Sequence, residues 1–251
     1  MGDFRLASLF LVFGACAFQH GEPMQDPGGG GGSGSSSGGG GTPHSGITFD
    51  SRSGTMVTGG SVLSWDHTVG NTVTDGLLLV GASIEKQSGA EVSSITYAGQ
   101  PLTRVQFAVG GEGVRTELWY LTAPPLGTAT VEMTLSTDLM QDGAVGGGVS
   151  LAGVDPQTPI PTFAIGEASS GSPSTTITVQ NDNAWVVDST VIDTGDHPAA
   201  VTGSQLQRWN LAAGLSGLGS TIDGTTAGPH TMSWSGPSDN WAQVVAEIKP
   251  R

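Results

Sequence analysis

The sequence predicts an all-β fold, an antiparallel two-sheet sandwich of the jelly-roll or lectin-like kind, and three observations support this prediction. Charged residues make up only 12% of the chain, and the residues that favour exposed helical faces are scarce. Apolar and polar residues alternate with period two in short runs. Gly, Pro, Asn and Asp separate these runs, as turns between strands require.

The predicted strands follow one another along residues 46–251. Residues 77–82 are apolar on both faces, which predicts a central strand. Residues 131–135, 176–179 and 242–248 alternate between apolar and polar side chains, which predicts strands with one face in a core and one face in water.

Turn sequences mark the connections between these strands. Residues 97–101 and 123–127 are rich in Gly and Pro and predict tight turns. A longer loop follows at residues 155–162. Since this loop could also separate two units, two smaller sandwiches that divide near residues 155–174 remain an alternative to one large domain over residues 46–251. The sequence itself shows no convincing internal repeat.

Residues 1–15 are predicted to be a lipoprotein signal peptide. An apolar run of about ten residues is too short to span a bilayer but suits the central region of a signal peptide. The run ends at Cys16, the only cysteine among 251 residues. The sequence Phe13-Gly-Ala-Cys16 resembles the bacterial lipobox, at which a leader is cleaved before a cysteine that is then lipidated. The resemblance implies lipidation of Cys16, and an ordinary secretory signal peptide is the alternative.

Residues 16–45 are predicted to form the lipidated cysteine and a flexible tether. Most of residues 27–45 are Gly and Ser, which cannot bury enough apolar surface to offset the entropy of ordering. As a disordered coil, this linker would reach about 30 Å. Ala17 after the cysteine resembles the outer-membrane sorting signal of enterobacterial lipoproteins. We expect a lipid-anchored protein of the bacterial cell envelope, at the outer membrane or cell surface, with secretion as the alternative.

A series of short motifs runs along residues 46–251 in a fixed order: SWDHTVG at 64–70, LLLVGASI at 77–84, ITYAG at 95–99, LTRV at 102–105, ELWYL at 117–121, MSW at 232–234, and the segment 241–250. Their order is similar to that of a β-sandwich module of about 200 residues, the size of one large domain, in secreted and surface-anchored bacterial proteins. The resemblance implies a sandwich. It carries over no catalytic residue, because no general activity belongs to the module.

The sequence indicates neither nucleic-acid binding nor a familiar catalytic site. The net charge is −14, whereas phosphate backbones require clustered Lys and Arg. Asp193-Thr-Gly195 resembles an aspartic-protease loop, but that chemistry requires a second carboxylate loop, so a strand that ends in a turn is favoured. His67, His197 and His230 are too far apart for a recognisable zinc motif. We predict no catalytic residue, no metal ligand and no cofactor.

Aromatic and acidic side chains supply the remaining candidates for binding. Sugars stack on aromatic faces, but Trp119 and Trp185 lie in apolar runs where core packing is expected. The other tryptophans lie in mixed or terminal segments, where core packing is favoured and ligand stacking stays open. The ligand-binding candidates are therefore Trp65, Trp209, Trp234 and Trp241. Solvated turns are favoured over calcium ligation for Asp138, Asp142, Asp188, Asp193 and Asp196.

The leading functional expectation is a surface-anchored, non-enzymatic binding or adhesion module. Its partners would be the membrane, through the lipid anchor, and a polysaccharide or another envelope protein. One alternative is a structural or assembly subunit of the envelope without a small ligand. A second alternative is a hydrolase with an unrecognised active site, which a cluster of acids or histidines with shifted pKa values would favour.

Overall fold

The computed structural model describes residues 46–85, 89–111, 113–194 and 199–251. The predicted signal peptide, Cys16 and the tether lie outside the described residues, as do Asp196 and His197. The described residues contain seventeen strands and no helix, so the predicted all-β class is confirmed. In chain order the strands are β1 (Thr48–Thr58), β2 (Val62–Val69), β3 (Leu77–Glu85), β4 (Val92–Tyr97), β5 (Gln100–Pro101), β6 (Thr103–Gly110), β7 (Val114–Thr122), β8 (Gly127–Leu135), β9 (Gly143–Ala152), β10 (Phe163–Ala168), β11 (Ser174–Val179), β12 (Ala184–Ile192), β13 (Ala200–Val201), β14 (Leu206–Ala213), β15 (Leu215–Thr225), β16 (Gly228–Ser235) and β17 (Trp241–Ile248).

These strands pair antiparallel into four sheets. The N-inner sheet has the order β1-β9-β3-β7-β6, and the N-outer sheet has the order β2-β8-β4-β5. The C-inner sheet has the order β10-β17-β12-β15-β14, and the C-outer sheet has the order β11-β16-β13. Each half of the chain therefore supplies one inner and one outer sheet, and β9 and β10 lie on either side of the division.

The four sheets stack because the inner sheets have two apolar faces. In β3, Leu77 and Leu79 belong to the core between the two inner sheets, whereas Leu78 and Val80 belong to the core beneath the N-outer sheet. A strand that is apolar on both faces must be covered on both. The predicted central strand at residues 77–82 is confirmed, since β3 lies between β9 and β7.

The antiparallel sandwich class is confirmed, and the stack contains four sheets rather than two. β12 repeats the pattern of β3, because Val187 faces the core between the inner sheets and Val186 faces the core beneath the C-outer sheet. The chain thus builds two sandwiches back to back, joined through their inner sheets. The two sandwiches divide between β9 and β10. The sequence left open a division into two smaller sandwiches near residues 155–174, which begins in the same loop.

The two halves are related by an internal pseudo-twofold symmetry. The order β1-β9-β3-β7-β6 maps onto β10-β17-β12-β15-β14, and β2-β8-β4 maps onto β11-β16-β13. Packing between the inner sheets follows the same rule: β1 contacts β14 and β10 contacts β6, while β3 contacts β15 and β12 contacts β7. An isologous interface between two equivalent units has this pattern. The repeat is present in the topology although the sequence does not reveal it.

Trp209 occupies the interface between the inner sheets. A Cβ added at Gly81 or Gly147 of the N-inner sheet, or at Gly219 of the C-inner sheet, would overlap the Trp209 indole. Glycine at these strand positions therefore makes room for a large ring, whose burial stabilises the interface. This contact explains why glycine is frequent inside strands that are otherwise apolar.

We predict that Gly147→Ala lowers the free energy of unfolding by about 1–3 kcal/mol, because the added methyl group overpacks the indole site. Urea denaturation of the full chain measures this change. Gly148→Ala is the matched control on the same strand, since its Cβ would lie 3.2 Å from the Ser53 Oγ and 3.4 Å from the His67 Nδ1, without the overlap that the Cβ at Gly147 makes with the indole. Equal losses in the two variants would contradict the role assigned to Trp209.

Candidate functional site

The four candidate tryptophans lie in the cores and not on a surface. Their exposed fractions run from 1% for Trp234 to 8% for Trp65, with Trp209 and Trp241 between them. Stacking on a sugar requires an exposed ring face, and none of the four presents one in this structure. Core packing accounts for them, as expected for Trp119 and Trp185, because each belongs to a cluster of buried hydrophobic residues.

Buried indole N–H groups instead hold internal polar networks together. The Nε1 of Trp65 donates to the Ser53 Oγ at 2.9 Å. The Nε1 of Trp234 donates to the Asp188 Oδ2 at 2.7 Å. A buried polar group without a hydrogen-bond partner costs free energy. These two hydrogen bonds avoid that cost for the indole N–H groups and for their acceptors.

The first network surrounds His67, between β1 and β2. The His67 Nδ1 lies 2.7 Å from the Ser53 Oγ, and its Nε2 lies 3.1 Å from the Ser150 Oγ. Ser150 in turn donates to the Asp50 Oδ2 at 2.6 Å. The strand β1 has a bulge at Asp50, which lets consecutive side chains, Asp50 and Ser51, reach the same network.

Burial keeps His67 neutral at physiological pH. Desolvation lowers the pKa of His67 from 6.5 to about 4, against the opposing effect of the Asp50 charge. A serine hydroxyl beside a histidine is the geometry of a nucleophile and its base. Here the Ser53 Oγ also receives the Trp65 N–H, and His67 is only 1% exposed, so the hydrogen bonds of this group close within the protein.

The second network surrounds Asp188, which lies in the middle of β12 and is fully buried. A solvated turn was the favoured interpretation for this residue, and the structure corrects it. The carboxylate accepts hydrogen bonds from the Ser220 N, the Ser220 Oγ, the Thr190 Oγ1, the Trp234 Nε1 and the Gln243 Nε2. Burial nevertheless raises the pKa of Asp188, with the hydrogen bonds from Ser220, Trp234, Gln243 and Thr190 acting in the opposite direction.

A third cluster lies on β6 and β7. The Arg115 Nε donates to the Glu117 Oε1 at 2.6 Å, and the Arg115 Cζ lies 3.9 Å from the Phe107 ring centroid. Glu117 also accepts from the Trp119 Nε1 at 3.0 Å and faces Arg104 at 3.5 Å. Glu91 also faces Arg115, at 3.4 Å, so two carboxylates balance the charge of the two arginines in this cluster.

The fourth cluster differs from these three because its aromatic ring is exposed. We call it the arginine corner and define it as Phe49, Arg52, Arg208 and Asp223, at the contact of β1 with β14. The Arg208 Cζ lies 4.3 Å from the centroid of the Phe49 ring, which is 40% exposed. Arg208 donates to the Thr221 Oγ1 at 2.7 Å and faces Asp223 at 3.3 Å.

Arg52 gives the arginine corner an excess of positive charge. Its Nη1 donates to the Gln207 backbone oxygen at 3.0 Å, and no carboxylate among the described residues lies within 4.0 Å of it. The five other cationic side chains that form ion pairs in the described ranges are Arg104, Arg115, Arg208, Lys249 and Arg251. Burial lowers the pKa of Arg208, Asp223 raises it, and the nearby charge of Arg52 lowers it further.

Two of the acidic side chains at turns accept hydrogen bonds from nearby backbone or side-chain groups. Asp138 accepts from the backbone N of Met140, and Asp193 accepts from the Asn240 Nδ2. Over residues 46–85, 89–111, 113–194 and 199–251, no group of three or more His, Cys, Asp or Glu side chains could hold a metal ion. Within the same ranges, no helix has the length and apolar character needed to cross a membrane.

The sequence pattern indicated none of these clusters. Three of them join strands that are distant in the chain, and the other depends on the register between the consecutive strands β6 and β7. The bulges at Asp50 and Arg208 come from strand pairing and leave no local signature. The only sequence signal was a polar residue at an inward position of a strand, as at His67 in the alternating β2 and at Asp188 in the buried β12.

We predict that stability falls as the pH drops from about 6.5 to 4. The folded-state pKa of His67 lies below its unfolded value, so the unfolded state binds the proton first and gains about 3 kcal/mol relative to the folded state. Urea denaturation at pH 7 and at pH 4 measures this loss. His67→Gln should lose less over the same range. Parallel losses in the variant and the original chain would contradict the role of His67, because carboxylates are common to both.

Comparison with known proteins identifies no relative from which a role could be transferred. No protein-family model, no curated protein and no solved structure matches this chain. The function proposed next therefore rests on the residues of this chain and on their geometry.

Proposed function

We propose that the chain is a lipid-anchored, non-enzymatic binding module of the bacterial cell envelope that holds polysaccharide at the arginine corner. One observation carries this proposal. The arginine corner brings together an exposed aromatic ring, Phe49, and a cation without a carboxylate partner, Arg52. In the cluster on β6 and β7, by contrast, both arginines have a carboxylate partner.

A binding role is favoured over catalysis by the position of the reactive groups. His67 and Asp188 have pKa values that burial shifts, and both side chains are enclosed in the interior. A catalytic acid or base must reach a substrate atom within hydrogen-bond distance. The partners of these two residues are side chains and backbone groups of the same sandwich.

The arginine corner suits a sugar ring. The face of a pyranose carries C–H groups that pack on an aromatic ring, and its hydroxyl groups accept hydrogen bonds from a guanidinium. Phe49 and Arg52 lie on the edge strand β1, where a polymer can pass without entering a closed pocket. The exposed side chains of Met56 and Leu206 extend the apolar surface along β1 and β14.

Attachment to the envelope is proposed from the leader alone. The apolar run that ends at Cys16, together with the Gly/Ser tether, supports a lipid anchor that holds residues 46–251 away from the membrane. A single site of lipidation and a flexible spacer would allow the arginine corner to reach polymers of the cell surface.

We predict that Cys16→Ser abolishes fatty-acid labelling and releases the protein from the membrane fraction, because the variant lacks the thiol that accepts the lipid. Metabolic labelling and fractionation of bacterial cells measure both effects. Ser45→Ala in the tether is the control and should remain labelled. Labelling that persists in Cys16→Ser would refute the lipoprotein assignment.

We predict that the mature chain, purified in detergent, binds at least one member of a panel of neutral and acidic polysaccharides with or without calcium. Phe49→Ala should weaken that binding about tenfold or more, because it removes the surface on which a sugar packs. Affinity electrophoresis or calorimetry provides the measurement.

Phe163→Ala is the matched control for this experiment. Phe163 is a similarly exposed phenylalanine on the edge strand β10, remote from the arginine corner in strand order. Equal effects of the two substitutions would place the binding surface elsewhere. If the chain binds no polysaccharide and copurifies with an envelope protein, the structural alternative replaces this proposal.

A further inference from the structure

We infer that the ligand of the arginine corner is an acidic polysaccharide whose carboxylate groups, as in uronate units, bind Arg52. This inference rests on the proposed function and names the chemical class of its ligand. It depends on the charges at the corner, on the free donors of Arg52 and on the position of the Phe49 ring.

The charge balance at the corner favours an anion. Arg52 and Arg208 lie close enough for the charge of one to lower the pKa of the other, and Asp223 is the carboxylate that faces Arg208. Two guanidinium groups with one carboxylate leave an excess positive charge in a chain whose net charge is −14. Like charges held together repel, and a bound anion relieves that repulsion.

The donors of Arg52 match a carboxylate. Among the described residues, Arg52 donates one hydrogen bond, from Nη1 to the Gln207 backbone oxygen. A guanidinium has five N–H donors, so Nε and Nη2 remain for a ligand. These two atoms form the planar fork that binds a carboxylate through two parallel hydrogen bonds. The bond to Gln207 also fixes the side chain in place, which reduces the entropy lost when a ligand binds.

The Phe49 ring explains why the carboxylate should belong to a sugar. Arg208 covers one region of the ring, with its Cζ 4.3 Å from the centroid, and 40% of the residue remains exposed. An inorganic anion gains nothing from an apolar ring. A uronate unit combines both features, since its carboxylate can reach the guanidinium while its C–H face packs on the ring.

The arrangement differs from the arginine cluster on β6 and β7. There the buried Glu117 already occupies the position of an anion between Arg104 and Arg115. At the arginine corner, Asp223 faces Arg208 and leaves Arg52 available. The corner is therefore the place among the described residues where an external carboxylate adds an ion pair.

The test compares polygalacturonate with its methyl ester, which has the same sugar backbone without the charge. We expect the mature chain in detergent to bind polygalacturonate about tenfold more tightly than the ester, and Arg52→Gln to remove that difference. Arg251→Gln is the matched control, because Arg251 is also exposed but pairs with Asp75 at the C-terminus. Thermal unfolding of each variant verifies that the sandwich is intact.

Four other results would each contradict a different part of this proposal. Equal binding of the acid and the ester, with Phe49→Ala still weakening both, rejects the carboxylate inference and leaves the polysaccharide-binding function in place. Unchanged selectivity in Arg52→Gln rejects Arg52 as the anion ligand. Stronger binding of an inorganic polyphosphate than of polygalacturonate rejects the sugar carboxylate as the ligand class. Absence of binding to every polysaccharide rejects the proposed function itself.

Discussion

The face-to-face packing of the two inner sheets is the constraint on which the rest of the structure depends. Each inner sheet is apolar on both faces. The outer sheet of the same half covers one face, so the other face must be covered by the second inner sheet. The Trp209 indole fits between the sheets only because Gly81, Gly147 and Gly219 lack side chains. This packing places the edge strands β1 and β14 side by side, and the arginine corner lies at that contact.

The arginine corner lies at one of two contacts that the pseudo-twofold symmetry makes equivalent, β1 with β14 and β10 with β6. The side chains at these two contacts differ. Each inner sheet has a bulge in its edge strand, at Val105 in β6 and at Arg208 in β14. Val105 packs against the core between the sheets, whereas Arg208 directs its guanidinium to Phe49 and Asp223. A shared scaffold thus supplies two similar edges, and the side chain at the bulge is apolar in one and cationic in the other.

Burial separates the polar groups that stabilise this protein from those that can act on a ligand. The networks of His67 and Asp188 connect strands of different sheets through buried hydrogen bonds, so they contribute specificity to the sandwich interiors. Tryptophan contributes to both networks through its N–H group. The aromatic residues that appeared suited to sugar binding therefore belong to the interior, while a phenylalanine on an edge strand remains exposed.

The sequence by itself determined the all-β class, the two-faced central strand at residues 77–82 and the turns, because period two and turn residues are local properties. It also supplied the expectation of a leader and a tether. Only the tertiary structure decided that there are four sheets, that Trp65, Trp209, Trp234 and Trp241 are buried, and that Arg52 lies beside Arg208. These outcomes depend on which strands become neighbours, and residues 52 and 208, which belong to different halves, lie close together because the inner sheets pack against each other.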